Sequence, residues 1–465
     1  MKVVRHYWKI LRPNLGLTLF VALSALLERM AFTSQAVYVQ KLLNFYGVPM
    51  EETARYAGFL IAISFSLKVV ASLFVPYLVG KLGEFKLFVL LNLIFGIFVT
   101  VFGFSWNVTT LMLGEVLISV ASSNPIVAQC LIFEVCDEEN QVLVLLLATK
   151  YPLWLERNLA PWYGGFFVLP TVQDTIKIPK SATNFFNTFP AILPNMIIGV
   201  LMSMNALLAA LLLKHSTNTK KKNERMKKMK SDKDSLSRGA YFKNLFSSNR
   251  PFLCTMLINS LRCSSFAGTF ICFFVWIELP KELSGNGYYP NETGSLNVIA
   301  GMVSFVLQVT ILPGINSILR AKRSLIFWSG VSIVCTPALI WVRILGHGIY
   351  YRTILVFIWA ILLTAGSGTG IAVTICVKNS IQKESKAKAL VFYHTFERIS
   401  IAGFTLVISN LMTWSLTNET SVYEEGLGYP LNHYFAFLIC SFIHMMVFFL
   451  ATKIPKDIDS ELVKQ

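Results

Sequence analysis

Twelve apolar stretches, each long enough to cross a bilayer, run the length of this chain of 465 residues. A spanning helix needs about 20 consecutive, predominantly apolar residues, and Leu15 to Val39, Ile192 to Leu213 and Tyr434 to Thr452 meet that requirement. Hydrocarbon offers no partner to a free N–H or C=O, so such stretches have to be helices. The expected fold class is all-α, a polytopic membrane protein. Spans are placed near 15–39, 56–79, 85–104, 110–133, 141–169 and 192–213, then near 251–277, 296–319, 325–344, 354–377, 387–416 and 434–452.

Composition excludes an ordinary soluble domain: 54% of residues are hydrophobic, 14% are charged and the mean hydropathy is +0.59. The eight cysteines lie in or beside apolar spans, without the spacing of a disulfide framework or a zinc site. Met1 to Pro13 is basic and leads into an apolar run too long for the core of a cleaved signal, so it reads as the entry to a retained first helix.

With both termini on one side of twelve spans, 28 of the 41 Lys and Arg residues fall on that side, 7 on the other and 6 inside spans. Basic residues gather on the cytoplasmic side of membrane proteins, so both termini are expected to be cytoplasmic, in the plasma membrane or a vacuolar or other endomembrane. The net charge of +16 is then an orientation signal, with no nucleic-acid partner implied. The sequons at Asn107, Asn291 and Asn418 fall in expected outer loops, and Asn291 and Asn418 are the glycosylation candidates.

Lys214 to Arg250 carries 12 basic residues against three acids, a composition that favours a solvated linker near anionic lipid headgroups. It divides the chain into a six-span half, 1–213, a basic cytoplasmic linker, 214–250, and a second half with a short tail, 251–465.

A 6+6 pattern about a central basic loop resembles the major facilitator superfamily, and local motifs narrow the likeness. Glu28-Arg29-Met30-Ala31-Phe32-Thr33-Ser34 in the first span is similar to the opening of the fungal and plant zinc-induced-facilitator-like and drug:proton antiporter group. Glu134 begins Glu-Val-Cys-Asp-Glu-Glu-Asn-Gln after the fourth span, and Ala160-Pro161-Trp162-Tyr163-Gly164-Gly165 resembles the antiporter motif G-P-x-x-G-G. Phe185-Phe186 through Phe189-Pro190 to Leu193-Pro194-Asn195, and Tyr429-Pro430-Leu431-Asn432 before the last span, are similar too. The resemblance implies a monomeric, non-enzymatic secondary transporter without a cofactor, whose partners are a small-molecule substrate, protons and the lipid bilayer. Proton-coupled antiport, or efflux, is the implied mode. Two departures stand out: the gate loop after the second span keeps little beyond Gly80, Lys81 and Glu84, and Glu115 occupies the fourth-span position where such antiporters carry an arginine.

Physical reading of the fifth span agrees with a special role, because Pro161 bends a helix and Gly164 and Gly165 admit a close neighbour. In the tenth span, Gly366-Ser367-Gly368-Thr369-Gly370 follows no strand, so it reads as small-residue packing and not as a phosphate loop.

Ten ionisable residues fall within spans: Glu28, Arg29, Lys68, Glu115, Lys150, Glu156, Arg157, Arg262, Glu397 and Arg398. At about 3 kcal/mol each, exposure of all ten to lipid would cost about 30 kcal/mol, beyond the roughly 5 to 15 kcal/mol net stability of a protein. Most must face the bundle interior. Adjacent Glu-Arg residues diverge by about 100° on a helix, so each pair engages other helices. Glu28 is the leading proton-coupling candidate, since the first span lines the central cavity in the resembled fold; Glu397 and Glu115 follow. Arg29, Gln35, Lys68, Lys150, Arg262, His394 and Arg398 are the substrate-cavity candidates. Six basic against four acidic residues favour an anionic or zwitterionic solute, and no His, Asp, Glu or Cys cluster has metal-ligand spacing. Proton-coupled symport, as of peptides or organic anions, and a transport-inactive membrane sensor are the alternatives.

Overall fold

The computed structural model describes residues 15–122, 124–136, 144, 148, 151–173, 175–212, 250–280, 285–342, 348–380, 386–420 and 431–455. Lys150, the linker residues 214–249, the stretch 137–141 and the Tyr429-Pro430 pair lie outside them. The first half contributes α1 (Leu15–Phe45), α2 (Thr53–Leu82), α3 (Glu84–Gly103), α4 (Val108–Ala121), α5 (Asn124–Val135), α6 (Tyr151–Phe167) and α7 (Ile192–Leu212). In the second half are α8 (Arg250–Glu278), α9 (Pro290–Ile318), α10 (Ala321–Trp341), α11 (Ile349–Ser380), α12 (Lys386–Thr420) and α13 (Tyr434–Thr452). Among the described residues, eleven helical stretches are long and apolar enough to cross a membrane, α4 and α5 together counting as one, and α6 belongs to the fifth expected span. Leu73, Phe74, Val306 and Val309 are exposed, as lipid-facing side chains must be.

Two boundaries differ from the sequence expectation for local reasons. The fourth span is two helices: Ser122 is not helical, and Pro125 has no N–H for the carbonyl of Ala121. The gate loop shrinks to Gly83, whose φ of +80° turns the chain directly from α2 into α3. Gly80 and Lys81 therefore lie in the last turn of α2, with Lys81 Nζ 4.6 Å from the Tyr77 ring centroid, and Glu84 opens α3, where the helix dipole favours an acid.

One face of the bundle, here the terminal face, carries Leu15, Leu212, Arg250 and Thr452; the other is the distal face. Hydrophobic packing differs between them. Toward the distal face, Val37 of α1 and Ala54 of α2 join a buried core built otherwise from α8 to α13 and the loops at their ends. Toward the terminal face each half keeps its own core, one around Leu17, Phe88 and Leu131, the other around Phe252, Val373 and Val447. Among the described residues the hydrophobic core is therefore shared distally and divided into two clusters toward the terminal face.

Close backbone approaches complete the distal seal. Gly165 of α6 lies against the carbonyl of Pro290, and a Cβ at Gly294 of α9 would stand 2.6 Å from the Pro161 oxygen and 2.9 Å from Trp162 Cα. Gln173 Oε1 accepts the Asn291 amide at 3.0 Å. Beyond α1, Tyr46 donates to the Ser105 carbonyl at 2.8 Å, and burial pushes its phenol up to about 12, so it remains a donor at neutral pH.

The sequons sit on helix ends and not in loops. Asn107 caps α4, accepting the Thr110 amide at 2.8 Å; Asn291 is in the first turn of α9; Asn418 lies in the last turn of α12.

Candidate functional site

Pro161 sits inside α6 and withholds the N–H that would meet the carbonyl four residues back, that of Arg157. Asn297 Nδ2 of α9 donates to that carbonyl at 3.0 Å, while Asn297 Oδ1 accepts from Trp359 Nε1 at 2.8 Å. The bend thus creates an acceptor that the other half fills. Next to it, Ala160 is fully buried and Gly164 packs on Ser34 of α1. Tyr163 donates to the Pro194 carbonyl at 2.5 Å, and Asn195 Nδ2 reaches Tyr38 Oη at 3.2 Å.

In the first half, Glu28 is 3% exposed. Ser122, in the break between α4 and α5, donates to its Oε1 at 2.5 Å, and Oε2 has no hydrogen-bond partner. Lys68, Arg29 and Arg398 supply the positive charge around it. Lys68 Nζ stands 3.0 Å from the Phe32 ring centroid and 5.2 Å from that of Phe65, and its opposite charges are Glu115 and Glu28. Glu115 Oε1 accepts from Ser119 at 3.3 Å, its Oε2 has no partner, and Gln35 stands beside it. The resulting arrangement is one lysine between two enclosed carboxylates. Arg398 ties it to the second half through Nη1, 3.4 Å from the Lys68 carbonyl.

Glu156 of α6 is buried and accepts a hydrogen bond from Thr33, with Arg29 as the principal positive charge upon it. Its neighbour Arg157 points elsewhere. Arg157 is exposed although it belongs to the bundle centre, and its Nη1 lies 3.5 Å from Ser367 Oγ of α11.

In the second half, Arg262 Nη2 donates to Asn259 Oδ1 at 3.0 Å and contacts Cys263 Sγ at 2.9 Å; Nη1 reaches the Gly366 carbonyl at 3.4 Å. Cys263 contacts Glu397 Oε1 at 3.1 Å, and His394 Nδ1 lies 3.1 Å from Glu397 Oε2. Within the glycine-rich stretch, Gly366 packs on the Phe266 ring, Gly368 on the Trp328 indole and Gly370 beside the Arg262 guanidinium.

The structure thus gathers Glu28, Arg29, Gln35, Lys68 and Glu115 on one side and Arg262, His394, Glu397 and Arg398 on the other. Two features carry little signal in the sequence. Arg157 reaches across to the second half, away from Glu156. Lys41 and Glu278 stand just outside the expected first and seventh spans, yet Glu278 is fully buried, both its oxygens lack a hydrogen-bond donor, and its positive charge comes from Lys41 in the opposite half. Their signal was an acid and a base one or two residues beyond an apolar run.

No protein-family model matches the sequence, nor does any curated protein. Solved structures do match over nearly the whole chain. A bacterial homologue of the human lysosomal transporter Spinster, inward-facing and occupied, has a TM-score of 0.62 at 13% identity over 97% of this chain and 98% of its own. The D-xylose-proton symporter has a TM-score of 0.66 at 13% identity, covering 97% and 100%. For the human organic anion transporter MFSD10 (TETRAN) the TM-score is 0.58 at 12% identity, covering 94% and 99%. These likenesses show the fold: an all-α, multi-pass membrane architecture of the major facilitator type.

Proposed function

We propose that this chain is a secondary active transporter in which two six-span halves rock about a central site by alternating access. The observation that carries the reading is the Glu28–Lys68–Glu115 set, enclosed in one half and joined to the other through Arg398, at the depth where the shared distal packing gives way to separate cores. Intramembrane charges facing a bundle interior mark substrate and ion pathways. A hinge of this kind, sealed distally and divided toward the terminal face, is half of an alternating-access cycle.

The coupling ion in this reading is the proton, with Glu28 its carrier, and the cargo is a small organic anion or zwitterion. A proton symporter and an organic anion transporter among the similar folds support both choices. The likeness of Glu28 to Ser34 and of Ala160 to Gly165 to the antiporter group supports antiport, with the terminal face cytoplasmic as its basic residues favour.

Flux of radiolabelled solutes into and out of proteoliposomes, with a pH gradient imposed in either direction, tests the proposal. Antiport predicts that a proton gradient drives solute against the proton flow. Movement with the protons would establish symport, and a failure of all solutes to move would favour a sensor.

A further inference from the structure

Building on the transporter reading, we propose that Arg157 and Arg262 form a two-sided subsite for one anionic group of the substrate, a carboxylate or a phosphate, held between the halves. Both guanidinium groups converge on the same turn of α11: Arg262 Nη1 lies 3.4 Å from the Gly366 carbonyl and Arg157 Nη1 lies 3.5 Å from Ser367 Oγ. Arg157 feels the positive charge of Arg262 as well as the negative charge of its neighbour Glu156. Two like charges on opposite halves repel, and this repulsion is relieved by an anion placed between them.

The acids nearby do not fill that place. Among the described residues, neither arginine has a carboxylate within the 4.0 Å of an ion pair. Glu156 is occupied by Thr33, and Glu397 by His394 and Cys263. The acceptors that Arg262 does have, an amide oxygen, a backbone carbonyl and a thiol, are uncharged and hold its fork in place. Gly370 contributes by absence, since a Cβ there would come within 3.3 Å of Arg262 Nη1. Arg157, by contrast, is exposed, with one long contact to Ser367. A guanidinium offers paired N–H donors that match carboxylate and phosphate oxygens. An anion bridging the two would draw α6 toward α8 and α11, so that substrate binding itself favours approach of the halves.

The test uses the full-length protein in lipid nanodiscs, titrated calorimetrically with succinate and with glycerol 3-phosphate, against glycerol and choline as neutral and cationic controls. Saturable binding of at least one anion and of neither control is expected, and Arg157→Gln or Arg262→Gln should each weaken it at least tenfold. Arg→Lys at either position keeps the charge but loses the fork, and should fall between. Unliganded, Arg157→Gln should melt close to the parent, because its guanidinium makes only one long contact, to Ser367. Anion affinity unchanged in both Gln variants, or a lowered melting point with affinity retained, would overturn the subsite. Flux of neutral solutes without anion binding would also overturn it while sparing the transporter reading; anion binding with no flux of any solute would do the reverse.

Discussion

Asn297 returns to α6 the hydrogen bond that Pro161 takes away: its side-chain amide sits 3.0 Å from the Arg157 carbonyl, the acceptor that the proline orphans. The two residues come from different halves, so a helix defect in one is completed by the other. An unpaired buried carbonyl costs about 1 to 3 kcal/mol.

Asn297→Leu should therefore lower stability by about that amount, read as a shift of the thermal midpoint in detergent. In a Pro161→Ala background the residue-165 N–H is unaffected but residue 161 regains its own donor, so the same substitution should cost less. The stranded Trp359 indole is common to both backgrounds and cancels in the double-mutant cycle. Equal losses in both would show that the carbonyl contact contributes nothing.

Glu28→Gln is expected to abolish transport driven by a pH gradient and to leave substrate binding intact. The amide keeps the size and can still face Ser122, but it cannot release a proton. Parent-like flux under the gradient would pass the coupling role to Glu397 or Glu115.

Removal of the positive charge that faces a buried carboxylate leaves that carboxylate less compensated. Lys41→Met should for that reason destabilise the distally sealed state, and the double variant Lys41→Met/Glu278→Gln should recover most of the loss. Labelling of a single cysteine at Ser295 reports it: distal reactivity should rise in Lys41→Met and fall back in the double variant. Constant labelling across the series would separate Lys41 and Glu278 energetically.

Glu156→Gln should lower expression and the melting midpoint, because Arg29 then loses its closest negative partner on α6. Both quantities remain at parent values if Arg29 is compensated elsewhere.

Helices were legible because apolar length alone defines them: α13 begins and ends at the residues expected, and α3 within a residue. Where helices run past the hydrocarbon-length stretch, as α1 does to Phe45 and α12 to Thr420, the apolar signal stops before the backbone pairing does. Lys41 and Glu278 fall beyond that apolar signal. The charged residues of the centre were legible as a set, because lipid forbids them elsewhere. Their pairing was not, since it depends on which helix faces which: Glu28 meets Ser122 across 94 positions of sequence, and Arg157 meets Ser367 across 210. The break at Ser122 was within reach of sequence reasoning, because Asn124-Pro125 carries the same chemistry that was recognised at Pro161.

That break gives the fourth span a joint. The backbone ladder that makes a membrane helix rigid stops at Ser122, whose ψ of 65° is not helical, before α5 begins. The carboxylate of Glu28 rests on the pivot, bonded to Ser122 itself. Gain of a proton turns that acceptor into a potential donor and removes the charge that the serine hydroxyl was steadying. In the proposed cycle, a proton taken up by Glu28 therefore acts at the one point where α4 gives way to α5.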